Sequence, residues 1–307
     1  MAHKLVFMLK TFEDDLHYVE RLIPSYRKYN TDLIPMCIVA PEKDVELFSK
    51  FKCKDIQIIA EESVTDCLVS DNSVFGIRPG YINQEIIKLA FWEMGLCDNY
   101  LCIDSDAEFL RDFYFSDFMS DANTPFTILA EDNELVVDPE YYKEHWIGRE
   151  KLIQVIKKEL GVEDRRTLTC HGMSIFSAKV LKTFKEKYLI PRGYTYVDAL
   201  KKSPYEFSWY NFWLQKDKTI PILFREPLFK TFHNKSQHLE YIRKNITLND
   251  ISRGYLGIVM NSNYSRDFGV ISYDTVEPYK NSLDIRILRR LRIYGKLLFD
   301  DIRARLK

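Results

Sequence analysis

"NYLCIDSDAEFL", residues 99–110, sets two aspartates, Asp104 and Asp106, at the end of an apolar run. Where a buried strand leaves the core, a charged carboxylate is costly unless something neutralises it. A cation, a hydrogen-bond network or water at a rim would each serve. Residues i and i+2 of a strand point the same way, so with a tight turn at Ser105 both carboxylates can approach one cation. Mg²⁺ and Mn²⁺ take hard oxygen ligands and often keep one or two carboxylates together with substrate phosphates. The spacing alone also fits a solvated strand-to-loop turn with side-chain to backbone hydrogen bonds.

The flanking sequence puts this run in an alternating pattern. Residues 4–12 form an apolar run of strand length, and 13–30 repeat apolar residues at helical spacing after three acids. A second strand over 33–40, a short helix over 42–51 and a third strand over 55–61 follow. After a less regular stretch (62–79), residues 80–95 read as a helix closed by Gly95, a glycine being the usual C-cap. The quoted run is then the fourth strand, and 125–132 the fifth. Such βαβα alternation predicts an α/β fold with a mostly parallel sheet flanked by helices. Ligands gather at the carboxyl ends of such strands, where Asp104 and Asp106 fall. The second half changes character. Residues 140–161 read as a helix, 167–181 as a strand running into a helix, and 194–216 as aromatic-rich helical pieces broken at Pro204. Residues 221–238 are strand-like and punctuated by Pro227. No linker divides the chain before about residue 275.

Composition bounds the function. The 307 residues are 46% hydrophobic and 29% charged, with a net charge of -1. This is globular material with no electrostatic footprint for nucleic acid. Aromatics are heavy, 20 Phe and 19 Tyr against 11 Gly, which suits large cores first and flat sugar- or base-stacking surfaces second. The six cysteines form no CxxC pair, so buried free thiols in a reducing cytosol are the simplest reading. No apolar stretch approaches the ~20 residues of a membrane span. The expected location is cytoplasmic, with room for a peripheral membrane association.

The run from Lys4 to about Asp132 resembles the nucleotide-binding half of GT-A glycosyltransferases, whose strand-end DxD binds a divalent cation that holds a nucleotide-sugar diphosphate. "GYINQEIIKLAFWEMGLCDNYLCIDSDAEFLRDF" (80–113) is similar to a group of bacterial polysaccharide-type members in which a Q-x-x-x-K-L helix precedes the DxD strand. The resemblance continues through "HGMSIFS", "EFSWYNFWL" and "FKTFHN", over about residues 4–270. It implies a GT-A domain over 1–275, with a nucleotide-binding half (about 1–135) and an acceptor half (about 136–275). It also implies Mn²⁺ or Mg²⁺, a nucleotide-sugar donor such as a UDP-sugar, and a glycan or lipid-linked glycan acceptor.

Roles follow from the resemblance and from the chemistry of sugar transfer, which must neutralise the leaving diphosphate and, on inversion, deprotonate the acceptor hydroxyl. Asp106 is the expected direct metal ligand, with Asp104 nearer the ribose or the metal's waters. His233, after a late strand, is a further candidate ligand, and Lys230 and Lys235 beside it could meet phosphate. Glu206 is the candidate base, because its aromatic surroundings would raise its pKa by desolvation; Asp132 competes for that role. Trp209 and Tyr210 are expected to stack on sugar. His171, with Gly172 allowing close approach, is a candidate for acceptor or donor-sugar contact. Gln84 and Lys88, four apart on one helix face, would reach the donor, and Thr11 the nucleotide base. Each also has a structural reading: a capped helix, a hydrogen-bonded histidine, a solvated lysine or an aromatic core.

From Asp284 to the end, eight basic residues face three acids, while Leu283, Ile287, Leu291, Tyr294, Leu298 and Ile302 recur at helical spacing. Residues 276–307 thus predict a basic amphipathic helix, which would lie on an anionic membrane or pack on protein. Three rival functions stand. A haloacid-dehalogenase phosphatase would continue its DxD as DxDGT, where this chain has Ala107–Glu108. A nucleotidyltransferase would carry a glycine-rich loop after the first strand, where this chain has "MLKTFEDD". A catalytically silent carbohydrate-binding protein on the same fold would lack nucleotide binding.

Overall fold

The computed structural model describes residues 2–128, 147–163 and 173–262, together with Tyr273, Leu291, Tyr294 and Gly295. The first half runs β1 (Val6–Lys10), α1 (Leu16–Tyr29), β2 (Met36–Ala40), α2 (Val45–Phe48), β3 (Ile56–Ala60), α3 (Pro79–Ala90), β4 (Asn99–Ile103), β5 (Ala107–Phe109) and β6 (Thr127–Ile128). The second half runs α4 (Ile147–Leu160), β7 (Ser174–Ser177), α5 (Ala178–Phe184), α6 (Tyr196–Lys202), α7 (Glu206–Asp217), β8 (Phe224–Arg225), β9 (Phe229–Phe232), α8 (Lys235–Arg243), α9 (Leu248–Ser252) and β10 (Gly257–Met260).

The main sheet has the order β3-β2-β1-β4-β7. β1 to β4 are mutually parallel, and β7 runs antiparallel to β4. Every residue of β1, β2 and β4 is buried, whereas Gln57 of the edge strand β3 is exposed. That difference is the physical reason the inner strands read as unbroken apolar runs: both of their faces are covered. After β3 the chain crosses to the far side of β1, so the strand order reverses between β1 and β4. A crevice opens there at the carboxyl ends. Leu9 pairs with Ile103 at the last step of the ladder, so Lys10 and Asp104 emerge side by side.

A second, three-stranded sheet has the order β5-β10-β9, with β10 antiparallel to β5 and parallel to β9. The chain passes from one sheet to the other through Asp104–Ser105–Asp106. At Gly257, which opens β10, a Cβ would overlap the Glu108 carbonyl oxygen and the Phe229 ring. We expect Gly257→Ala to cost about 1–3 kcal/mol in a urea unfolding curve, the usual penalty of overpacking.

The heavy aromatic content goes largely to the core. Phe7 contacts Tyr26, Phe109, Phe113 and Phe118 under the main sheet, and Trp209 packs on Phe184 and Tyr188 in the helical half. Cys37, Cys97 and Cys102 are buried free thiols.

Several expected elements change. The 80–95 helix is α from Pro79 to Ala90 and 3-10 from Phe91 to Met94, ended by Gly95 at φ 66. The strand expected over 125–132 is described only as β6, which pairs with β8 outside the main sheet; β7 is the fifth strand instead. Residues 221–238 are not one strand. After β9, Asn234 caps α8, its side chain accepting from Gln237 N at 3.0 Å, so a helix starts where strand character was expected. No described helix is long and apolar enough to cross a membrane.

Candidate active site

The carboxyl ends of β1 and β4 meet those of β9 and β10 around a cavity of about 290 Å³. Its walls carry Asp104 and Asp106 from the turn between the sheets, Gln84, Glu85 and Lys88 from α3, Glu206 from α7, and His233. Sequence reasoning named six of these seven side chains.

The turn is built by backbone geometry. Ala107 N donates to Asp104 O at 3.2 Å, and Met260 N donates to Asp106 O at 3.1 Å. Ser262 N donates to Asp106 Oδ2 at 2.7 Å. Asp106 Oδ1 is buried and has no hydrogen-bond partner among the described residues. Burial and then the adjacent Asp104 carboxylate push the Asp106 carboxyl up to about 8. A carboxylate oxygen left without a donor in a polar cavity suits a cation. Among the described residues no group of three His, Cys, Asp or Glu side chains forms a metal cluster. The carboxylate oxygens of Asp104 and Asp106 are hard donors, and so few of them fit a Mg²⁺- or Mn²⁺-type ion whose shell is completed by phosphate or water.

Lys88 stands at the other end of the pair. Its ammonium lies 3.0 Å from Glu206 Oε1 and 3.7 Å from Asp104 Oδ1, and only 6% of its side chain is exposed. Burial disfavours its charge, but Glu206 and then Asp104 hold it well above its ordinary value. Asp104 is raised by burial, against the pull of Lys88. Glu206 departs from expectation. Burial does favour its neutral form, yet Lys88 and a hydrogen bond from Glu85 outweigh that and hold its carboxyl below the usual range. Its aromatic neighbour Phe207 faces the Lys88 ammonium at 4.5 Å instead.

Other expected site residues lie elsewhere. Thr11 is buried next to the turn, where Ser105 Oγ donates to its hydroxyl at 3.1 Å, so it braces the aspartates from β1 and does not line the cavity. Trp209 and Tyr210 are 0% and 2% exposed. Trp209 Nε1 donates to Ser203 O at 2.9 Å, and the Tyr210 hydroxyl accepts from Ser177 N at 2.9 Å. Both are core residues, correcting their expected place on a sugar-stacking surface. Lys230 lies over the Phe232 and Tyr241 rings, and neither it nor Lys235 lines the cavity. Asp132, His171, Gly172 and all of 276–307 except Leu291, Tyr294 and Gly295 fall outside the described residues; those three are helical and exposed.

Five charged lining residues escaped the sequence reading: Lys10, Asp15, Arg78, Arg149 and Glu85. Lys10 ends β1 and pairs with buried Glu61 at 2.7 Å. Arg78 precedes α3 and faces the Phe12 ring; Arg149 on α4 faces the Tyr205 ring at 4.4 Å. Glu85 lies three residues before Lys88, a spacing that marks neighbours on a helix surface, so that signal was present.

Comparison with known proteins yields a family match over residues 4–268, described as "Family of unknown function (DUF6492)". No curated protein matches the chain. Among solved structures, mouse xyloside xylosyltransferase 1 in its apo form is similar at 9% identity and a TM-score of 0.47, covering 86% of this chain and 99% of that one. The apo WbbM bifunctional glycosyltransferase is similar at 12% identity and a TM-score of 0.47, covering 85% of this chain and 46% of that one.

Proposed function

We propose, for a chain that belongs to the family of unknown function DUF6492, that the cavity is the donor site of a metal-dependent GT-A-type glycosyltransferase. The observation that carries this reading is the aspartate pair at the strand-order reversal. One buried oxygen of Asp106 lacks a protein donor, and cationic side chains stand across the same cavity. A lone acidic turn would be satisfied by backbone amides. This one is satisfied on one oxygen only.

Asp106, with Asp104 beside it, would hold Mn²⁺ or Mg²⁺, and His233 lines the same cavity. When bound, the ion supplies charge neutralisation for a leaving diphosphate. The remaining roles belong to the chain itself. Lys88, kept cationic by two carboxylates, presents a fixed positive charge beside Asp104 on the donor side. Gln84, one turn away on α3, offers an amide to the same volume. The donor is a nucleotide diphosphate sugar, a UDP-sugar by the resemblance. The acceptor is a hydroxyl of a glycan or lipid-linked glycan, of the bacterial surface type that the α3–β4 motif resembles. The basic C-terminal segment would bring the enzyme to an anionic membrane.

Glu206, the expected base of an inverting reaction, is tied up in an ion pair with Lys88. A carboxylate paired to Lys88 and held below its usual pKa is a poor proton acceptor. Its geometry supports a second reading, in which it anchors Lys88.

Calorimetry with UDP, with and without Mn²⁺, tests the donor site. The expected result is binding that depends on the metal, followed by metal-dependent hydrolysis of one member of a nucleotide-sugar panel. Absence of nucleotide binding under both conditions would remove this reading and favour a carbohydrate-binding protein without catalysis.

A further inference from the structure

The proposed transfer makes no direct use of Glu85, although it is 3% exposed in the wall of the site. Its Oε2 accepts the Glu206 backbone N–H at 3.3 Å, and both side chains are buried, which sets the two carboxyls side by side. Tyr81, one turn earlier on α3, is an electrostatic neighbour of the same carboxyl. The charged and titratable groups around it are Tyr81 and Lys88 from α3, Tyr205 and Glu206 from the start of α7, and Arg149 from α4 across the cavity.

Two carboxyl groups can form a hydrogen bond only with a proton between them, and away from water two adjacent carboxylates cannot both ionise. One proton therefore belongs to the Glu85–Glu206 pair. Lys88 touches Glu206 and not Glu85, so the ammonium draws negative charge to Glu206 and leaves the proton on Glu85. Burial and then the Glu206 charge keep the Glu85 carboxyl well above its ordinary value. Two buried charges then cancel between Lys88 and Glu206, and Asp104, 3.7 Å from Lys88, competes with a single partner. An ionised Glu85 would add a second anion behind Lys88 and pull it away from Asp104.

We propose that Glu85 is a positioning residue that acts as a neutral acid: its proton bridges to Glu206, and the bridge aims the Glu206–Lys88 pair at Asp104. The effect on transfer rests on the donor-site reading above; the bridge itself does not.

Two measurements on the full chain test this. In infrared difference spectra at pH 7.5, wild type minus Glu85→Gln should show a protonated-carboxyl carbonyl band beyond that of Asp106, which is common to both proteins. A difference spectrum without that band overturns the bridge. In kinetics, Glu85→Leu should lower kcat about 100-fold, the size of effect a small misplacement produces. Glu85→Gln, whose amide donates in place of the acid, should recover to within about threefold of wild type. The wild-type rate should fall at alkaline pH as Glu85 loses its proton, and Glu85→Gln should lack that limb. Equal losses in the Gln and Leu variants, or an unchanged alkaline limb in Glu85→Gln, overturn the positioning role. A wild-type protein that binds no nucleotide overturns the donor-site reading instead. The infrared difference band then decides the bridge by itself: present, it stands; absent, it falls.

Discussion

Asp106→Asn should abolish metal-dependent UDP binding, by about 100-fold or more in affinity, and should make the metal-free protein more stable at pH 8. The two effects have one cause. Asp106 is placed where its charge is costly without a cation, its carboxyl pushed up to about 8 from an ordinary 3.8. Between those values the folded chain binds a proton that the unfolded chain has released. The slope of unfolding free energy with pH is then negative. The contribution is fully present below about pH 4 and is lost as pH rises through about 8. Asparagine carries no such proton, so the variant should lose this slope and gain about 1–2 kcal/mol at pH 8, the usual return for relieving a functional site. Urea unfolding at pH 5 and pH 8 in chelator measures the stability arm, and calorimetry with UDP and Mn²⁺ the binding arm. Unchanged UDP affinity in the variant would remove Asp106 from the donor site. A variant less stable than wild type at pH 8 would mean that Asp106 is a structural residue.

Lys88→Met should be the most damaging single change to the fold near the site. The Lys88 and Glu206 side chains are 6% and 5% exposed. Taking away one member of a buried pair leaves the other charge uncompensated, which costs about 3–5 kcal/mol. Replacing both, as Lys88→Met with Glu206→Leu, should recover most of that stability, since an apolar pair of similar volume is often neutral in such a place. Transfer should stay lost in both proteins, because the fixed cation beside Asp104 is gone from each. Unfolding curves of the two singles and the double give the coupling between them. Strictly additive effects would show that the pair does not act as a unit.

Much of this site was legible in the sequence because it follows backbone rules. A buried parallel strand has to be apolar throughout, so the aspartates that end β4 stand out. The 84–88 spacing showed one face of α3. What could not be read was the cover over that face. Sequence periodicity reports a helix's own stripes and not what packs on them, so Lys88 reads as an open position although Glu206 and Phe207 of α7 close over it, and Glu85 beside it draws no notice. The same limit explains Trp209 and Tyr210. An aromatic-rich helix suits a sugar platform and a core equally well, and only the neighbours Phe176, Phe184 and Tyr188 decide the matter. β10 was missed for another reason: "GIVM" is too short to show a period, and its place is set by β5 and β9, far away in the chain.

The three-residue passage between the sheets has a consequence for how this protein can vary. Ala107 and Phe109 face the interior and Glu108 does not, so the strand leaving the passage has a parity that its packing dictates. One residue more or fewer between Asp104 and Asp106 would turn that parity over and drive Phe109 toward solvent. The distance between the two acids is thus protected twice, by the ligand chemistry proposed for them and by the pleat of a strand that never meets a ligand. A descendant without the proposed activity would still be expected to inherit the interval.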